Sequence, residues 1–141
     1  MKTPYDTALR LQRREVDAVK VSISVEVERI TTLEQQARTI DSRVVEERRL
    51  AHALPLSSDH WVARMRAERA RVEHAARESQ ARLNQLRDQA IEAYGTMRAI
   101  ESAATRYRDE AERAADVAEQ SAIDDIAAVR FLNARRRRRA A

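Results

Sequence analysis

The chain has 141 residues, with one glycine, two prolines, no cysteine and five aromatic residues, and 35% of it is charged. Such a composition holds too few turn residues and bulky apolar side chains for an ordinary globular core, and the lack of cysteine excludes a disulfide scaffold and a thiolate metal site. The net charge of +4 is unevenly placed: residues 1–54 carry 10 basic and 9 acidic groups, residues 55–129 carry 11 and 14, and residues 130–141 carry 6 and none. The basic character therefore belongs to a tail and not to a whole surface. Enrichment in Ala, Glu and Arg reads as long helices.

The first helix is expected over about residues 4–54. Thr3 suits the N-cap, Pro4 the first helical position, and Asp6 stands three residues after the cap, as in a capping box with Asp replacing Glu. Apolar residues then recur at heptad spacing. One row is Leu9, Val16, Ile23, Ile30, Ala37, Val44 and Ala51. The row three residues on is Gln12, Val19, Glu26, Leu33, Ile40, Glu47 and Leu54. This is a coiled-coil pattern. Val19, Val21, Ile23, Val25 and Val27 alternate as a strand would. The heptad continues in phase on both sides, so helix is expected here too, weakened by the β-branched side chains.

Pro55 disfavours helical geometry at Leu54 and opens a turn over 55–58. Ser57, Ser58 and Asp59 offer N-caps for a second helix over about 59–134. Its rows are Val62, Arg69, Ala76, Leu83, Ala90, Met97, Ala104, Ala111, Ala118 and Met65, Val72, Ser79, Leu86, Ala93, Ile100, Tyr107, Ala114, Ser121. Gly95 falls off the rows, costs about 1 kcal/mol against Ala and can mark a bend. Beyond about residue 118 the phase slips to Ala122, Ile126 and Val129. A basic tail, 135–141, ends the chain.

These elements predict an all-α fold: one domain, 1–141, built as a long two-helix antiparallel coiled-coil hairpin with a protruding C-terminal helix end. Meshing the rows predicts a register in which partner numbers add to 116, so that Leu9 faces Tyr107, Ile30 faces Leu86 and Leu54 faces Val62. The same register sets Glu47 opposite Arg69 as an ion pair that specifies register more than it stabilises. Residue 4 then meets the region of residue 112. Residues 113–141 are left without a partner and reach roughly 40 Å if helical.

Few residues point to catalysis. His52, His60 and His74 form no metal-ligand spacing, no glycine-rich phosphate loop exists, and a two-helix rod has no pocket to desolvate a catalytic group. No enzyme activity, cofactor, metal or small-molecule substrate is expected. The carboxylates read as a solvated face, with i,i+4 pairs at Asp6–Arg10, Glu34–Arg38, Glu73–Arg77, Glu78–Arg82 and Asp109–Arg113. No run of eighteen apolar residues suggests a membrane span, and the opening Met1–Asp6 lacks the apolar region of a secretory signal, so a cytoplasmic protein is expected.

Three places could carry binding. At the turn, Leu54 and Trp61 either cap the core or form a docking knob. The arginines Arg135, Arg136, Arg137, Arg138 and Arg139 either end a helix favourably to its dipole, dock on an acidic protein surface, or meet nucleic acid or an anionic membrane. Between them, Ile123, Ile126, Val129, Arg130, Phe131 and Leu132 lie on the unpaired helix. They suit helix-in-groove recognition, self-association of two such ends, or a frayed segment.

These residues resemble the FliJ family, the cytoplasmic stalk proteins of the flagellar type III export apparatus. The resemblance runs along nearly the whole chain. It rests on the opening Ala8-Leu9-Arg10-Leu11-Gln12-Arg13-Arg14-Glu15-Val16-Asp17-Ala18, on the midpoint turn followed by Trp61, and on Ile123-Asp124-Asp125-Ile126-Ala127 before Arg130 and a basic end. The Pro55-Leu56 turn and the five consecutive arginines have no counterpart in the family pattern. The resemblance implies a non-enzymatic antiparallel hairpin whose terminal helices enter the export ATPase ring. It also implies contacts with a membrane export gate protein and with export chaperones, so that membrane association is peripheral and through partners. The injectisome stalk is an equally compatible counterpart. Two other classes remain open: a nucleic-acid-binding helical protein using the arginine tail, and a purely structural oligomeric coiled coil.

Overall fold

A computed structural model describes residues 1–53 and 59–141. The expected turn over 55–58, with Leu54 and its pairing to Val62, lies outside the described residues. Two helices pack against each other as an antiparallel hairpin: α1, Asp6–Ala53, of 48 residues, and α2, Asp59–Ala140, of 82 residues. The fold is all-α, as the heptads predict. The valine-rich segment at 19–27 is helical, because its buried face belongs to the continuing heptad while Val21, Val25 and Val27 are exposed. Helix α2 runs on past the expected end near 134, so the arginine tail is helical rather than a separate segment. Nothing in Arg135–Ala140 breaks a helix, and the basic last turn suits the negative end of the dipole.

The chain divides into two compact units, one of residues 1–11 with 97–141 and one of residues 12–96. In the second unit the helices bury one stripe each. On α1, Gln12, Val16, Val19, Ile23, Glu26, Ile30, Leu33, Ala37, Ile40, Val44, Glu47 and Ala51 are buried or half-buried, and every other residue of this stretch is exposed. Those are the members of the two heptad rows. On α2, Val72, Ser79, Leu83 and Ala93 form the most buried part of the facing stripe. Leu83 retains 3% of its surface.

The register differs from the expected one. Gln12 Nε2 donates to the carbonyl of Ala93 at 3.0 Å, where the expected register sets Gln12 against Ala104. The Ser79 hydroxyl donates to the Glu26 carboxylate, where the expected register sets Ala90. Arg69 meets Asp41 rather than Glu47: its Nε lies 2.6 Å from Asp41 Oδ1 and a second nitrogen 3.2 Å from Oδ2, while Glu73 takes another of its N–H groups. The helices are thus displaced from expectation by about one heptad, and the long side chains of Gln12 and Glu26 reach about a turn further. Apolar rows repeat every seven residues, so registers a heptad apart bury equivalent side chains. The polar members of the rows decide between them, because a buried polar group without a partner costs more than a shifted apolar contact.

In the first unit, the start of α1 is fastened as the capping pattern predicts. The Thr3 N–H donates to Asp6 at 3.0 Å, the Thr3 hydroxyl donates to the other carboxylate oxygen at 2.7 Å, and the Tyr5 N–H donates to Thr3 Oγ1 at 3.3 Å. These hydrogen bonds from Thr3, aided by the charge of Arg108, hold the Asp6 carboxyl below its ordinary pKa. The Asp6 carboxylate is therefore engaged by Thr3 and not by Arg10 as expected. The Tyr5 and Tyr107 rings meet edge to face, with centroids 6.3 Å apart, where the expected register makes Leu9 the neighbour of Tyr107. Ala104, 1% exposed, is the most buried position of this unit.

Candidate interaction surface

The polar cluster in the core of the second unit explains what orders the hairpin. Glu26 is buried with Ser79, which is fully inaccessible. Arg82 Nε lies 3.2 Å from the same carboxylate and Arg29 lies 3.8 Å from it. The hydrogen bond from Ser79, followed by the Arg82 guanidinium, holds the Glu26 carboxyl below its ordinary pKa. No buried side-chain nitrogen or oxygen among the described residues lacks a partner. The expected i,i+4 pairs of this region are replaced: Arg82 turns to Glu26 across the helices, Glu78 pairs with His74 at 3.0 Å, and Glu73 pairs with Arg69. Asp41, and then Glu73, raise the pKa of Arg69. Sequence reasoning missed the Asp41–Arg69–Glu73 and Glu26–Ser79–Arg82 groups. Their signal lies in the polar members of the rows, which pair in a different register from the expected one.

The Glu26 carboxylate accepts from Ser79 and Arg82 through one oxygen and faces the helix seam. Two concavities of the unit are grooves along that seam, one lined by Arg48, Ala51, His52, Asp59, Val62 and Ala63, another by Gln12, Glu15, Val19, Gln89, Glu92 and Ala93. Among the described residues no three His, Cys, Asp or Glu side chains form a cluster that could hold a metal ion. No helix of the described residues is long and apolar enough to cross a membrane. Trp61 is half-buried at the start of α2.

The exposed surface lies in the first unit. From Glu112 to Ala140 every residue of α2 is exposed, although the helix is continuous. Helix here is a local property: the stretch lacks Gly and Pro, is rich in Ala and Arg, and carries side-chain support such as Gln120 donating to Asp124 at 2.8 Å. Ile123, Ile126, Val129, Phe131 and Leu132 each expose half or more of their surface.

These side chains do not share one face. At about 100° per residue, Ala115, Ala118, Ala122, Ile126 and Val129 fall within an arc of about 80°. Leu132 and Ile123 lie on its two edges, and Phe131 points nearly the opposite way. The five consecutive arginines, Arg135–Arg139, are distributed around the whole helix by the same rotation. They form a charged collar, not a basic face. Glu112, Glu119, Arg130 and Arg137 fall within about 20° of one another along one flank of the apolar stripe. Comparison of the chain with family models, with curated proteins and with solved structures returned no match.

Proposed function

We propose that this chain is a non-enzymatic stalk or adaptor of a flagellar type III protein export apparatus, similar to the FliJ family. In this reading the C-terminal part of α2 engages the export ATPase ring, and other surfaces meet an export gate protein or export chaperones. The protein then works in the cytoplasm, peripheral to the inner face of the cell membrane through its partners. The observation that carries the reading is the helix over 112–140, folded yet exposed on every side. An apolar stripe followed by a basic collar suits insertion into a protein lumen, and alanines at 115, 118 and 122 keep the helix slim on that face. The two-helix architecture is the one that the resemblance implies. The collar supports a nucleic-acid role less well, since arginines pointing to all sides do not track a phosphate backbone along one groove and Phe131 is a lone aromatic beside them.

The test is a pull-down with the export ATPase, using the full chain and a chain truncated after Ala118. Strong retention of the full chain and loss with the truncated one is the expected result. Equal binding by both, or none by either, overturns the assignment of the surface to the ring.

A further inference from the structure

The exposed helix is complementary to a reversed copy of itself. Residues 109–125 carry seven acidic groups and one arginine, whereas residues 130–141 carry six arginines and no acid. The apolar stripe divides in the same place. Its first half is small, with Ala115, Ala118 and Ala122, and its second half is bulky, with Ile126, Val129 and Leu132. A parallel pair would set arginine against arginine and acid against acid. An antiparallel pair sets each half against its opposite in both charge and size.

We infer that α2 forms an antiparallel, two-fold symmetric dimer with a second copy of this chain through residues 112–140. In a two-fold pair, residue i meeting j implies j meeting i. One register satisfies both properties. Glu112 faces Arg137 of the second copy and Glu119 faces Arg130, on the shared flank of the stripe. Within it, Ala122 lies against Ile126 and Ala118 against Val129, large on small, so the helices approach closely. Each contact occurs twice. The axis passes near residues 124 and 125, where the Asp125 side chains of the two copies approach one another at the edge of the stripe, while Asp124 points away from it. That repulsion weakens the pair and makes it dependent on concentration. The inference does not rest on the export reading: it concerns the free chain, and binding to an ATPase ring would compete with it for the same stripe.

Sedimentation equilibrium of the full chain tests it, since the monomer mass is 16.2 kDa. At about 200 µM in low salt the expected species is a dimer, and raising the salt from about 0.05 to 0.5 M should weaken it at least about tenfold. The double variants E112R/E119R and R130E/R137E should each be monomeric, with helicity by circular dichroism unchanged because all four positions are exposed. Mixing the two should restore a dimer, because every flank pair is then attractive. A monomeric native chain, dimerisation that survives truncation after Ala111, or a mixture no more dimeric than its components overturns the inference. None of these results bears on the pull-down with the ATPase, which reads a different complex.

Discussion

Gly95 offers a clean measure of how far α2 behaves as one cooperative helix. It lies inside the helix, is exposed and has no positive φ, and a Cβ built on it meets nothing within 4 Å. The backbone freedom of glycine is therefore used for nothing visible, neither a turn nor a close approach. Gly95→Ala adds a methyl group without a clash and reduces the entropy that the unfolded chain loses, so it should stabilise by about 1 kcal/mol. For a chain of this size that is a rise in Tm of about 4 °C. The reverse change at the exposed Ala81, Ala81→Gly, should cost a similar amount. Urea titration followed by circular dichroism at 222 nm is the assay, with a higher midpoint and an unchanged slope expected for Gly95→Ala. An unchanged or lowered midpoint, with Ala81→Gly behaving normally, would refute the reasoning. It would mean that this stretch does not unfold with the rest or that the glycine is needed for a bend.

Further outcomes follow from the packed stripe, the buried carboxylate and the cap. Leu83→Ala should lose about 2–4 kcal/mol in the same titration, while Ile91→Ala, at a position 73% exposed, should stay within about 0.5 kcal/mol. The folded-state pKa of Glu26 is depressed below its ordinary 4.5, so its contribution is present above that value and is lost as pH falls through the depressed one. Thermal melts between neutral pH and pH 2 should show this loss, and Ser79→Ala should both destabilise the hairpin and move the Glu26 carboxyl resonance titration upward in NMR. Thr3→Ala should cost about 1 kcal/mol and speed amide exchange in the first turn of α1.

Much of this architecture is written in local pattern. The two heptad rows name the buried positions of α1 within 12–53, the Thr3–Asp6 spacing names its cap, and the alanine-rich acidic and basic stretches name a helix that continues without a neighbour. Each is a property of residues within a turn or two of one another, so the amino-acid order alone determines it. The division of charge between an acidic stretch and an arginine collar is equally a matter of order along the chain.

The register was decided by tertiary structure, because a heptad repeat looks the same after a shift of seven. Apolar rows could pair Val44 with Val72 or, one heptad nearer the turn, with Met65 at little difference in burial. Glu26 could not be shifted so freely: it needs Ser79 and Arg82, and Gln12 needs the Ala93 carbonyl, since neither polar group can be left unpaired inside the seam. Tertiary packing likewise drew Arg69 to Asp41 rather than Glu47. Sequence thus determined which residues face inward, through the period of the helix, and three-dimensional packing determined which of them meet, through the few polar groups that break that period.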